Sequence, residues 1–138
     1  MTTEELQLAF YQEVGQLFYA VAAADKVVRE SETKTLKKLV REEWMSMDDY
    51  KDNFGADAAY QIEIVFDWFD YEQMTADDCY RSFEDFYNDH RKLFTPDRKK
   101  LIHKTAHAIA GAFAGKNKSE LIILSRLTLL FKDDAINV

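Results

Sequence analysis

Apolar residues recur at spacings of three and four along most of this chain, and nowhere do they alternate with polar residues for long. Leu6, Phe10, Val14, Leu17, Phe18 and Val21 form one such stripe, which predicts a first helix over about 3–24. Thr2 and Glu5 have the spacing of a capping box at its start. Leu36, Leu39, Val40 and Trp44 predict a second helix over about 29–47. Residues 48–57, with Asn53 and Gly55, read as a loop. Ile62, Val65, Phe66 and Phe69 predict a third helix over 57–72. Thr75 is placed to cap a fourth, with Asp77 and Asp78 in the first turn and Cys79, Phe83, Phe86 and Tyr87 on its apolar side. Thr95-Pro96-Asp97 is a helix start, and the fifth helix runs to about Ala114. Gly115 stops it, and Ser119 is expected to cap a sixth helix ending near Lys132. Six helices with short connections make an all-α, single-domain bundle spanning residues 1–138.

Two stretches stand apart from this periodicity. Ala20-Val-Ala-Ala-Ala-Asp25-Lys-Val-Val28-Arg-Glu-Ser-Glu32 runs a small-residue helix end into an acidic turn and straight into a new helix. Ala108-Ile-Ala110-Gly-Ala112-Phe-Ala114-Gly115-Lys-Asn-Lys-Ser119-Glu120 is a fainter copy. Aligning Ala20, Ala22 and Ala24 with Ala110, Ala112 and Ala114 gives a pseudo-repeat at a spacing of 90, relating two helical hairpins around a middle helix pair.

An Ala-rich seam ending in Asp, a short loop, Val, then Glu and Leu four apart resembles the TerB-like (tellurite-resistance protein B) helical domain. The match is best over 17–40 and weaker over 101–131, and 48–95 carries none of the motif. The resemblance implies an all-helical cytoplasmic domain linked to tellurite and other chemical stress, with an acidic surface in contact with metal ions. Two positions depart from the pattern. Lys26 follows the loop Asp where the family has Gly, and a left-handed backbone there costs Lys about 1 kcal/mol. Gly115 stands where the matching second carboxylate is expected.

Composition narrows the function classes. With 47% hydrophobic and 31% charged residues the chain is globular in character. The single cysteine, Cys79, forms no internal disulfide, and the acidic start Met1-Thr-Thr-Glu-Glu5 is unlike a secretory signal, so a cytoplasmic protein is expected. No apolar run reaches the roughly 20 residues that span a bilayer, so direct membrane insertion is not expected. The net charge of −7 is uneven: residues 42–89 sum to −13 and residues 90–138 to +6. An acidic middle repels a phosphate backbone, so nucleic acid is not an expected partner. The two segments either neutralise each other within the fold or leave an acidic face for cations or a basic protein.

Three groups are candidates for chemistry. Asp25, Glu30 and Glu32 are candidate ligands for a divalent metal ion, the one cofactor expected; hard cations take about six oxygens, of which these supply a minority. The alternative is that Asp25 caps the turn and the glutamates serve the helix dipole. His103 and His107, four apart, match a Zn²⁺-binding spacing but lack the Glu of a metalloprotease; the alternative is a buried, satisfied histidine. Glu63, Asp67 and Asp70 form an acidic stripe on the third helix, and Asp78, Asp85 and Asp89 one on the fourth. Either the stripes converge on a divalent ion, or they are solvated or paired with Lys99, Lys100 and Lys104. Trp68 and Tyr71 lie off the core stripe beside the acids, the composition of a partner-binding face. No nucleophile elbow, phosphate loop or dinucleotide fingerprint occurs. The expected function is a non-enzymatic partner-binding module, with a metal-dependent enzyme and a homo-oligomeric structural domain as alternatives.

Overall fold

The computed structural model describes residues 1–47, 57–113 and 115–136, without the side chains of 133–136. Residues 48–56 of the loop expected over 48–57, and Ala114, lie outside the described residues. The helices are α1 (Thr3–Ala22), α2 (Glu30–Leu39), α3 (Tyr60–Glu72), α4 (Ala76–Asp89), α5 (Pro96–Ala110) and α6 (Lys118–Ile136). After Leu39 the second helix widens into a π-helical turn, Val40–Trp44, and closes with Met45–Met47. The described residues contain no strand, and the all-α bundle stands as predicted.

α1 is the axis of the bundle. Residues 17–22 of this helix are all buried, so it is enclosed on every side there rather than along one stripe. It packs chiefly on α3 and α4, then on α5 and α6. Gly15 permits the closest approach: a Cβ there would sit 2.9 Å from the Ile62 carbonyl oxygen of α3. Phe94 joins the halves of the core, meeting Phe10, Phe83 and Tyr87 edge-on at centroid distances of 5.1, 5.7 and 4.9 Å. At the far side Trp44 is fully buried, its indole N–H donating to Thr105 Oγ1 on α5 at 3.0 Å. That bond meets the polar requirement of a buried indole and pins the π-helical turn against α5.

Several helix ends differ from the sequence reading. Thr2 accepts from the Glu5 N–H at 3.1 Å and Thr95 from the Arg98 N–H at 3.2 Å, as their spacing predicts. Thr75 sits at the N-cap of α4 but makes no side-chain cap bond. α3 starts at Tyr60, after a turn in which Asp57 accepts from the Ala59 N–H. α5 ends at Ala110, four residues early, because Gly111 takes the C-cap position and the chain turns. Asn117, not Ser119, caps α6.

Those corrected ends reset the repeat. The last residues of α1 and α5 are Ala22 and Ala110, and the first residues of α2 and α6 are Glu30 and Lys118. Both pairs are 88 apart, so the register is 88 rather than 90. At this spacing Arg29 matches Asn117, and Ser31-Glu32 matches Ser119-Glu120.

Candidate functional site

The two related turns meet. Asp25 Oδ2 accepts from Arg29 at 2.8 Å within its own turn and from Asn117 Nδ2 at 2.8 Å in the other, while Oδ1 accepts the Val27 N–H at 3.1 Å. Burial of Asp25 works against ionisation, but the Arg29 and Val27 bonds outweigh it and hold the carboxyl below its ordinary range. The Arg29 guanidinium lies 4.5 Å from the ring centroid of Phe113, the residue at the Asp25 position of the second turn. Lys26 has φ +71°, the left-handed conformation that favours glycine, and Gly115 has φ +81° in the second turn.

One turn further in, each helix start closes a capping interaction through its third residue. The Arg29 N–H donates to Glu32 Oε1 at 2.7 Å, and the Asn117 N–H to Glu120 Oε1 at 2.9 Å. Both glutamates are buried, at 1% and 2% exposure, and Glu120 bears on Glu32. Glu32 Oε2 has no donor from any other group. Burial, opposed by the Arg29 N–H and reinforced by Glu120, pushes Glu32 up to about 7.

The three candidate metal ligands of this turn face different partners. Asp25 is committed to Arg29 and Asn117. Glu30 projects into solvent and pairs with Lys34 at 3.0 Å. Glu32 and Glu120 each give one oxygen to a backbone N–H. The structure therefore does not gather Asp25, Glu30 and Glu32 around one point. Among the described residues no cluster of three or more His, Cys, Asp or Glu side chains is placed to hold a metal.

The histidines of α5 do come together, with ring centroids 4.4 Å apart and planes tilted by 46°. His103 Nε2 lies 3.0 Å from Thr128 Oγ1, which itself donates to the Leu124 carbonyl, so His103 donates there. His107 Nε2 is buried without a partner, and burial, followed by His103 and Lys116, lowers its pKa. His107 as a whole is half-buried.

The acidic stripes are paired differently from expectation. On α3, Asp67 meets Lys37 at 3.1 Å and Glu63 meets Arg41 at 3.7 Å, both bases coming from the second helix. Lys104 instead reaches Glu43 at 2.7 Å, and Arg126 reaches Asp77 at 3.1 Å. Lys99 lies over the Tyr87 and Phe131 rings. Lys104 and Arg126 of the basic third thus each neutralise one acid of the acidic middle.

Of the expected partner-binding residues, Asp67, Trp68 and Tyr71 share one face of α3, and Ile64 joins them around a shallow depression of about 500 Å³. Trp68 and Tyr71 stack at 6.2 Å with planes 27° apart, and are 57% and 80% exposed. Glu63 is buried beside Arg41 and does not line that depression. Asp70 engages the C-terminal turn, its carbonyl accepting from Gln73. Ile64 was legible from its spacing four before Trp68. Asn117 and Glu120 were legible from the Asn-x-Ser-Glu that mirrors Arg29-x-Ser-Glu32.

Among the described residues no helix is long and apolar enough to cross a membrane. No family model, curated protein or solved structure matches this chain.

Proposed function

We propose that this protein is a non-enzymatic, cytoplasmic docking module whose α3 face receives a basic, amphipathic helical segment of a partner protein. The observation that carries the reading is the stacked, exposed Trp68–Tyr71 pair, one turn from the exposed Ile64. Ile64, Trp68 and Tyr71 are spaced four and three apart, the stripe against which a partner helix packs. Asp67 lines this face, and α3 carries Asp70 and Glu72 besides and no Lys or Arg, which favours a basic occupant. A stacked aromatic pair presents a rigid apolar surface that loses little side-chain entropy on binding. The non-enzymatic reading draws on the buried Cys79, whose thiol burial and then Asp78 and Glu13 push up to about 11. The TerB-like resemblance supplies the proposed setting, the response to tellurite and other chemical stress.

The test uses the protein's own fluorescence, since Trp44 is fully buried and Trp68 is the exposed tryptophan. A synthetic helix with a leucine stripe and a lysine face should shift the Trp68 emission to the blue, and added salt should weaken the effect. The same helix with a glutamate face should not bind. Loss of Tyr71 in Tyr71→Ala should weaken binding about 30-fold, the scale of an interface hot spot. Equal response to both helices would sink the proposal. So would concentration-dependent dimerisation abolished by Trp68→Ala, which would assign the face to a second copy of the chain.

A further inference from the structure

We infer, resting on the docking role proposed above, that the occupant of the α3 face is anchored by an arginine whose guanidinium lies over the Trp68–Tyr71 stack and meets the Asp67 carboxylate. The same arrangement is built twice elsewhere in this fold. Arg126 lies 4.2 Å from the Tyr80 ring centroid while its Nη1 donates to Asp77 at 3.1 Å, and Asp77 and Tyr80 stand three apart on α4. Arg29 lies 4.5 Å from the Phe113 ring centroid while its Nη1 donates to Asp25 at 2.8 Å. In both places one arginine spans a carboxylate and a ring.

α3 presents the same pair of groups without the arginine. Ile64, Asp67, Trp68 and Tyr71 stand at positions i, i+3, i+4 and i+7, one contiguous patch of helix surface around the depression. Among the described residues no cation lies over Trp68 or Tyr71, and both rings are exposed. Lys37 meets Asp67 Oδ2 at 3.1 Å, yet the two side chains stay 37% and 52% exposed. Asp77 shows that a carboxylate so engaged takes a second base: Arg81 meets its Oδ2 at 3.0 Å and Arg126 its Oδ1 at 3.1 Å. By the same division Asp67 takes Lys37 on Oδ2 and the incoming arginine on Oδ1.

The shape of the patch selects a planar cation. Trp68 and Tyr71 are stacked, 27° from parallel, beside a shallow depression, so they offer a flat surface rather than a box. A quaternary ammonium is held by rings that surround it. A guanidinium is planar and weakly hydrated, and it can stack on a ring while its edge donates to a carboxylate. A lysine ammonium is compact and strongly hydrated; it answers the charge of Asp67 but gains little from the rings.

The experiment compares three synthetic helices that share a leucine stripe and differ in the polar face: arginine, lysine or trimethyllysine. Arginine and lysine have nearly equal helix propensity, so the first two helices differ in recognition and not in folding. Binding is measured by calorimetry against wild type, Trp68→Leu and Asp67→Asn, both substitutions falling at exposed positions. Wild type should bind the arginine helix about fivefold more tightly than the lysine helix. Trp68→Leu keeps an apolar contact but removes the ring, and should bring that ratio close to one; Asp67→Asn should lower it as well. A ratio that Trp68→Leu leaves unchanged would mean general attraction of arginine to an acidic surface and would overturn the anchor. Equal binding of the arginine and lysine helices by wild type would overturn it too, while the docking role stands. Tightest binding of the trimethyllysine helix would assign the face to a quaternary ammonium instead. If none of the three binds, the docking role falls and the arginine anchor falls with it.

Discussion

Asn117 donates its side-chain amide to Asp25, 92 residues earlier, at 2.8 Å, while its own Oδ1 caps α6 through the Glu120 N–H at 2.9 Å. One side chain thus terminates a helix and joins the two halves of the repeat. Asn117→Ala should remove both bonds and destabilise the protein by about 1–2 kcal/mol in urea unfolding. Asn117→Asp keeps the cap but sets a carboxylate against Asp25, and pairing it with Asp25→Asn should recover most of the loss. If the double variant is no more stable than Asn117→Asp alone, the two residues are not coupled.

Gly15 marks where α1 and α3 approach most closely. A Cβ there would meet the Ile62 carbonyl oxygen at 2.9 Å and the Val65 Cβ at 3.1 Å. Alanine is the better helix former, by about 1 kcal/mol. The contact is with backbone, so α3 must move as a unit to relieve it. We expect Gly15→Ala to lower stability by about 1–3 kcal/mol despite the propensity gain. A rise in Tm would show that the two helices separate freely.

How far this was legible depends on whether the signal was local. Helix positions came from apolar spacing, and the starts at Thr2 and Thr95 from side chains that cap residues three positions away. The end of α5 was misread because Gly111, Ala112 and Phe113 continue an Ala-rich pattern, while Gly111 in fact takes the cap position. That error shifted the repeat by two residues and hid the match of Glu32 with Glu120. Glu32 reads alone as a first-turn acid, and its burial comes from tertiary packing that no local pattern shows. The α3 face was legible as aromatics off the core stripe. Which acids it keeps depended on Lys37 and Arg41, which no local pattern assigns to α3.

Lys26 and Gln73 are non-glycine residues in the left-handed region, at φ +71° and +54°. Lys26 is exposed, and among the described residues its side chain makes no hydrogen bond or ion pair, so glycine there relieves backbone strain at little cost. Lys26→Gly should raise stability by about 1 kcal/mol, and Lys26→Ala should not. Gln73 differs, because its Nε2 donates to the Asp70 carbonyl at 2.6 Å. Gln73→Gly exchanges that bond for relief of strain and should gain less. Equal gains at both sites would show that the Gln73 bond contributes nothing.

Cys79 gives a measure of how tightly α4 holds to α1. Its side chain is 2% exposed, and burial, followed by the charges of Asp78 and Glu13, raises the thiol from an ordinary 9 to about 11. The thiolate is the reactive form, so at pH 8 the folded protein should react with a thiol reagent far more slowly than a free cysteine. Part of that protection is steric and part electrostatic, and the two respond differently to change. Raising pH toward 10 should speed the reaction about tenfold per unit, because the thiol still lies below its midpoint, yet leave it slower than a free cysteine. Ser82 on α4 donates to Glu13 on α1 at 3.0 Å, a bond that Ser82→Ala removes. If α4 opens locally, Ser82→Ala should accelerate the reaction while global unfolding in urea moves by about 1 kcal/mol or less. A wild-type rate at pH 8 equal to that of the urea-unfolded chain would show that α4 does not shield Cys79.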